Sequence, residues 1–493
     1  MKTHRKNLFH LPALITGLGL MLAGQASAQT FTTLYSFTDG SDGSHPDGEL
    51  LLSGNTLYGT AEFGGLYNSV NGIGYGTVFA VNTDGTGFTT LYGFTAASNG
   101  FAVGSTNSDG CCPETALVLS GNTLYGTAEQ GGTSGNGTVF AVNTDGTGLT
   151  TLYNFTGGSD GGHPLADLLL SGNTLYGTAN TGAGSGKGTV FAVNTDGSDF
   201  TVLHSFTAQT SGTNSDGAEP SGALVLSGNT MYGTANVGGS SGWGTVFAVN
   251  TNGMGFTNLH SFSAMSTNSS GVYTNSDGAR PNDKAGLVLS GNTLYGTAVL
   301  GGTSGNGTVF AVNTDGTGFT TLHSFTAQTS GTNSDGATPN AGLILAGNTL
   351  YGTATHGGSS GNGTVFAVNT DGTGFTTLYS FTGGSDGKVP AAGLLLSGNT
   401  LYGTTPQSSP GFGTVFSLSL PPVSAPQLTI SPSGANVILS WPATAAGFTL
   451  QSTTNLGSLA FWTTNSPAPV VVNGQNVVTN PLAGAQKFFR LSQ

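Results

Sequence analysis

Seven aspartates in one recurring spelling, Ser-Asp-Gly-x-x-Pro, are the residues of this 493-residue chain best placed to do chemistry: Asp42, Asp109, Asp160, Asp216, Asp277, Asp335 and Asp386. A ring of carboxylates can hold Ca2+, a hard cation that takes oxygen ligands, or can repel anions. The same spelling also makes a turn. An Asp side chain bonds its own backbone, glycine takes positive φ, and proline ends the segment. Presence in every copy favours the turn, because a binding site normally breaks symmetry. Apart from Ca2+, no cofactor is implied.

Other residues do break the symmetry. Trp243, Tyr67, Tyr75 and Tyr273 sit in segments that vary between copies. Flat aromatics beside Asn, Ser and Asp suit sugar rings, although a long loop packing on itself uses the same residues. His204, His260 and His323 replace tyrosine in three consecutive copies, and an outermost strand would leave them at the surface. His45 and His163 follow Asp42 and Asp160 in non-adjacent copies, too far apart to share an ion. Gly-x-Ser-x-Gly occurs at residues 238–242 and 357–361, but in strand-to-strand loops and not on the strand-to-helix elbow that a serine hydrolase needs. Cys111 and Cys112, the only cysteines, are adjacent. In an oxidising compartment they could form a vicinal disulfide; two free thiols are the alternative.

The elements that carry these residues repeat. Leu/Met-Tyr-Gly-Thr recurs with its tyrosine at Tyr58, Tyr125, Tyr176, Tyr232, Tyr295, Tyr351 and Tyr402, and Gly-Thr-Val-Phe follows each time. Each copy offers four strands: Gly-Leu-Leu-Leu-Ser, Asn-Thr-Leu-Tyr-Gly-Thr-Ala, Gly-Thr-Val-Phe-Ala-Val-Asn and Phe-Thr-Thr-Leu-Tyr-Ser-Phe. Ser-Gly-Asn and Asn-Thr-Asp-Gly join them as hairpin turns, and the latter lacks the downstream acid of a calcium loop. The first and third strands read as apolar runs, as strands covered on both faces do.

The last copy stops after Gly413-Thr414-Val415-Phe416, one strand short, and residues 31–37 spell the missing strand. A ring explains both ends, because the N-terminal strand completes the last sheet and leaves no edge exposed. The expected fold is all-β: a seven-bladed β-propeller over residues 29–420, a Pro-rich linker at 421–426, and a small β-sandwich at 427–493 with Trp441 in its core. In such a ring, length variation at 63–75, 95–113, 207–220 and 263–281 falls on one face. Binding sits on variable loops held by a rigid scaffold, so that face is the expected binding face.

Residues 1–28 read as a secretory signal peptide, with Lys2, Arg5 and Lys6, an apolar run from Leu11 to Ala23, and Ala26-Ser27-Ala28 before the cleavage point. After its removal six basic and 22 acidic residues remain, a net charge of −16. The basic residues do not cluster, which excludes nucleic acid as a partner. No later segment is apolar enough for a transmembrane helix.

The repeated Leu-Tyr-Gly-Thr, Gly-Thr-Val-Phe-Ala-Val-Asn-Thr-Asp-Gly and Leu-Tyr-Ser-Phe blocks resemble the GloVer tandem repeat of exported bacterial proteins with varied anchors. The resemblance implies export and carries over no biochemical activity. The tail, with Leu-Ser-Trp-Pro and Phe-Phe-Arg-Leu, resembles fibronectin-type-III-like end modules, without the terminal transmembrane stretch and basic end of sorting tails. The expected function is that of an exported, monomeric, non-enzymatic binding protein at the cell surface or in the periplasm, its ligand a glycan or a surface protein. A secreted glycan lyase or hydrolase and a structural surface protein are the alternatives, since the residues offer no convergent acid and base outside the repeats.

Overall fold

The computed structural model describes residues 29–66, 74–98, 104–281 and 286–421, and within the tail 427–434, 436–442, 448–454, 462–464, 468–472, 474–481 and 487–492. The leader, the Pro-rich linker after residue 421, and Tyr67 lie outside these. Every regular element among the described residues is a strand.

Each copy folds into an antiparallel sheet whose strands follow chain order. In sheet 1 the strands are Leu51–Ser53, Thr56–Ala61, Thr77–Asn82 and Thr89–Gly93. Sheets 2 to 6 repeat this over residues 118–154, 169–205, 225–261, 288–324 and 344–380, with the short strand Ala279–Pro281 added to sheet 5. In sheet 7 the strands Leu395–Ser397, Thr400–Thr405 and Thr414–Ser419 take Phe31–Ser36 as their fourth member. Its register runs from Phe31 opposite Leu418 to Ser36 opposite Thr414.

Local chemistry explains why these words repeat. Pairing sets Gly59 opposite Phe79, and a Cβ on that glycine would stand 2.5 Å from the phenylalanine ring. The glycine of Leu-Tyr-Gly-Thr therefore makes room for the phenylalanine of Gly-Thr-Val-Phe. A bulge between Val78 and Phe79 leaves Leu91 unpaired on the fourth strand, and the hairpin glycine Gly146 of sheet 2, at φ 83°, lies against its carbonyl. A Cβ there would come within 2.5 Å of Leu91 O, so this turn admits only glycine.

Third strands are buried on both faces, as their apolar runs suggested: Val78, Phe79 and Val81 are fully buried. Each such phenylalanine contributes about 2 kcal/mol by leaving water. First strands differ from expectation. Only three residues of each pair as strand, and Leu51 and Leu52 are half-buried, because one flank of this edge strand has no neighbouring strand.

Seven apolar clusters join consecutive sheets. One joins sheet 1 to 2 through Phe94 and Phe140, and others follow in order to sheets 6 and 7, through Phe381 and Phe416. The seventh joins sheet 7 to sheet 1 through Phe37, Val415, Leu57 and Phe79. An aromatic stack recurs at these seams: Tyr35 on Phe88, Tyr153 on Phe200, His204 on Phe256, His260 on Phe319 and His323 on Phe375, at 3.6–3.8 Å. Phe31 takes the same place on Tyr379, at 4.2 Å.

The tail forms two further sheets, one of four strands and one of three. Leu439, Trp441, Leu450 and Val478 form their core.

Candidate functional site

Antiparallel order puts the loops between second and third strands, and those between consecutive sheets, at one end of every sheet; the two tight hairpins fall at the other. The seven aspartates lie at the first end, and each carboxylate serves its own turn. Asp42 accepts from the Tyr35 hydroxyl at 3.1 Å, the Thr38 amide at 2.8 Å and hydroxyl at 2.7 Å, and the Gly40 amide at 3.0 Å. Asp109, Asp160 and Asp386 repeat the pattern with Tyr92, Tyr153 and Tyr379. Burial, with the adjacent carboxylate, pushes the Tyr153 and Tyr379 phenols up to about 12. Among the described residues no group of three His, Cys, Asp or Glu side chains is disposed to hold a metal ion.

The three strand histidines correct the expectation of a surface position. Their side chains are only 17–20% exposed, because each ring is stacked on the next sheet's phenylalanine and sits 3.0–3.1 Å from Asp216, Asp277 or Asp335. Burial opposes ionisation of these carboxyls. Hydrogen bonds from the histidine and from the Thr or Ser at the strand end outweigh it, and the three carboxyls lie below their ordinary range.

The three described candidate aromatics, Tyr75, Trp243 and Tyr273, do not form one site. Tyr75 is fully buried between sheets 1 and 2 with Phe94, Cys111 and Cys112, which removes it from any ligand surface. Trp243 is half-buried against the cluster between sheets 4 and 5, and its carbonyl accepts the Arg280 amide. Tyr273, on a small hairpin of Ser266–Thr267 and Tyr273–Thr274, is 61% exposed. Cys111 and Cys112 stand as two buried thiols with no disulfide between them. A hydrogen bond to Cys111, together with burial, pushes the Cys112 thiol far up.

At this same end lies a set of residues that the sequence reading did not group together, although it named His45, Cys112 and His163 singly. The residue before each Ser-Asp-Gly-x-x-Pro proline is never glycine, yet it sits at φ 52–59° in all seven copies: His45, Cys112, His163, Glu219, Arg280, Thr338 and Val389. Its amide bonds the carbonyl of the preceding sheet, as Cys112 does with Tyr75 at 3.1 Å. In most copies its own carbonyl bonds the sheet that follows, as Cys112 O does with the Glu129 amide at 3.1 Å. The conformation is fixed by stitching two sheets together, while the side chain differs from copy to copy. Lys187 and Glu219 pair across one such seam at 3.5 Å, and His163 and Glu129 approach to 3.6 Å across another.

In the lead-in to each sheet, the residue before the leucine that precedes the first strand is Glu49 in sheet 1, Ala116 in sheet 2 and Asp167 in sheet 3, and alanine or glycine in sheets 4 to 7. Asp167 Oδ1 accepts the Ala116 amide at 2.6 Å. The Glu49 carboxyl leans over sheet 7, where a Cβ on Gly393 would stand 2.3 Å from it. Burial, and after it the charge of Asp167, push Glu49 up to about 8. The lead-ins of sheets 7, 1, 2 and 3 therefore converge. Subtracting the repeated motifs from the sequence would have exposed these acids.

The chain matches the family model described as the Gloeobacter/Verrucomicrobia repeat twice in tandem, over residues 101–278 and 270–429. The chain belongs to this repeat family. No curated protein matches it. Among solved structures, this Gloeobacter/Verrucomicrobia repeat protein is similar to an oligogalacturonate lyase in complex with manganese, at 10% identity and TM-score 0.42, covering 80% of this chain and 97% of the other. A nidogen/laminin complex matches at 14% identity and TM-score 0.35, covering 57% and 84%. TolB from Acinetobacter baumannii matches at 12% identity and TM-score 0.34, covering 73% and 79%.

Proposed function

We propose that the cycle of seven sheets is a closed seven-bladed β-propeller, exported by the leader at residues 1–28, and that it binds a ligand at the end bearing the variable loops. One observation carries the reading: charge outside the repeated motifs gathers at that end. Between the leader and the tail the only basic residues are Lys187, Arg280, Lys284 and Lys388. All but Lys284, which lies outside the described residues, fall in loops of this end. So do Asp39, Asp47, Glu49, Glu62, Glu114, Glu129, Asp167 and Glu219. The opposite end carries the Asn-Thr-Asp-Gly hairpins, which change only at Asn252 in sheet 4, and a single charge outside them, Asp199. A scaffold repeated seven times that varies at one end is built to present that end.

A glycan or a surface protein is the ligand class we propose, with the tail as a fibronectin-type-III-like spacer or retention module. At the loop-bearing end of the repeat region, the exposed hairpin Tyr273 and half-buried Trp243 supply apolar faces beside polar loops. Among the described residues no helix is long and apolar enough to cross a membrane. The test is capture of cell-wall glycans and surface proteins by the chain from Gln29 onward. Binding should weaken in Tyr273→Ala and Arg280→Ala and persist when the hairpin aspartates Asp84 and Asp371 become Asn. Equal loss from both ends would refute the assignment.

A second reading, a glycan hydrolase or lyase, is favoured by one pair. Glu49 is pushed up to about 8 while Asp167 accepts a backbone amide, and two carboxyls with separated proton affinities are what acid–base catalysis uses. Turnover of a polysaccharide that disappears in Asp167→Asn would select it.

A further inference from the structure

We propose that a cleft on the rim of sheet 1, at the loop-bearing end, binds the acetamido group of an N-acetylated sugar. The proposal rests on that end being the ligand face and names the chemical group it recognises.

The cleft has a volume of about 350 Å³, small among ligand sites, which run from about 300 to 1,000 Å³. Its lining includes Ser41 of the loop from sheet 7, Leu66 of the loop between second and third strands, and Thr90, Leu91, Tyr92 and Gly93 of the outermost strand. Three features here depart from the repeat. Sheets 2, 4, 5 and 6 carry Thr or Ser after the Gly-Gly of the second loop, where sheet 1 carries Leu66. Asn or Ser ends the fourth strand of every other sheet, and Gly93 ends this one. The next sheet offers Leu149 in the place where the other copies offer a phenylalanine, so Tyr92 has no such stack.

The exchange at Gly93 leaves a hydrogen-bond donor unused. In four sheets the residue that ends the fourth strand accepts the amide of the loop residue after Gly-Gly. The Thr133 amide donates to Asn154 Oδ1 at 2.9 Å and the Thr303 amide to Ser324 Oγ at 2.8 Å, while Ser240 and Ser359 donate to Ser261 and Ser380 at 3.5 Å. Leu66 is their counterpart, and its amide has no acceptor among the described residues. A Cβ on Gly93 would stand 3.4 Å from that nitrogen, so the amide lies beside the place that the capping side chain vacates. Leu66 leans across Gly93, where a Cβ would meet its Cγ at 3.0 Å, yet the leucine stays 57% exposed. An oxygen from a ligand can take the cap's place, with an apolar group beside it on the leucine.

An acetamido group supplies both parts, a carbonyl oxygen and a methyl. The acceptor has to be uncharged. No lining residue carries a charge, and 22 acidic residues against nine basic ones would repel a carboxylate or a phosphate. Ser41 is exposed, and the Thr90 hydroxyl, which donates to Ser41 O at 3.0 Å, keeps its lone pairs for a further donor. Both hydroxyls suit the hydroxyl-rich ring of a sugar better than the chain of an acetylated peptide.

The test is isothermal titration calorimetry on the chain from Gln29 onward with three probes: N,N′-diacetylchitobiose, cellobiose, which lacks the acetamido groups, and N-acetyl-leucine amide, which carries one without a sugar. Binding of the first alone is expected, with a Kd on the order of 1 mM or tighter. Gly93→Asn, which gives sheet 1 the cap that Asn154 provides in sheet 2, should weaken it at least roughly tenfold and at the same time raise the denaturation midpoint. Gly93→Ser, the residue of sheets 4 to 6, should act in the same direction with a shorter side chain. Leu66→Ala keeps the free amide and should weaken binding roughly fivefold through the lost apolar wall. No binding of diacetylchitobiose at about 10 mM, equal binding of cellobiose or of N-acetyl-leucine amide, or unchanged binding in Gly93→Asn overturns the proposal. If glycan or protein capture still depends on Tyr273 and Arg280 in that case, the ligand face stands and only this cleft falls.

Discussion

His260 Nε2 lies 3.1 Å from Asp277 Oδ2, and the same imidazole stacks at 3.8 Å on Phe319 of the next sheet. One side chain thus closes a turn and a seam together. Tyrosine does both at the corresponding place in sheet 2, where the Tyr153 hydroxyl donates to Asp160 at 3.1 Å and its ring stacks on Phe200 of sheet 3 at 3.6 Å. His260→Tyr should therefore leave stability within about 0.5 kcal/mol. His260→Phe keeps the stack but removes one of the two partners of the buried Asp277 Oδ2, whose other is the Ser263 amide at 2.9 Å, and should cost about 1–3 kcal/mol. Chemical denaturation of the two variants separates these outcomes; equal losses would mean that the hydrogen bond contributes nothing.

Phe31 ties the N-terminal strand into sheet 7 and onto sheet 6. It stacks on Tyr379 and on Phe416 at 5.3 Å, although it comes from the other end of the chain. It is half-buried, so Phe31→Ala should cost about 2 kcal/mol, less than a fully enclosed phenylalanine. Removing residues 29–37 should do more than destabilise. It would leave the strand Thr414–Ser419 with an open edge, and sedimentation should then show association.

Most of the strand plan was legible because turns and strands are spelled by local chemistry. Asn and Gly announce the hairpins, Gly59 and Phe79 require each other across one strand pair, and the orphan strand at Phe31 completes a count. What escaped depends on partners distant in the chain. His204 reads as a surface residue until Phe256 of the next copy covers it. Glu49 and Asp167 read as unrelated acids on separate copies, and only converging lead-ins bring one within electrostatic reach of the other. Tyr75 misled for the opposite reason: an aromatic in a variable segment reads as ligand-facing, yet a neighbouring sheet buries it.

Cys111 and Cys112 give a direct measure of how closed that neighbouring seam is. Both are buried, and the hydrogen bond between them, with burial, keeps the Cys112 thiol protonated. Thiolate is the reactive form. A thiol-reactive dye should label neither cysteine in the folded chain at about pH 8, and both after unfolding. Labelling on denaturation only when reductant is added would mean that the pair is a vicinal disulfide in the mature protein.

Glu49 makes the fold weaker in alkali, and the sign follows from its raised proton affinity. In the folded chain burial and Asp167 push it to about 8, while in the unfolded chain it titrates at about 4.3. Between those values the folded state holds a proton that the unfolded state has released, so stability falls as pH rises through the interval and the loss is complete above about 8. Glu49→Gln carries no titrating proton. Its denaturation midpoint should match the parent's near pH 4, as an approximate lower limit, and exceed it increasingly toward pH 9 or so. An advantage that does not grow with pH would place the Glu49 carboxyl in water, outside the converging lead-ins.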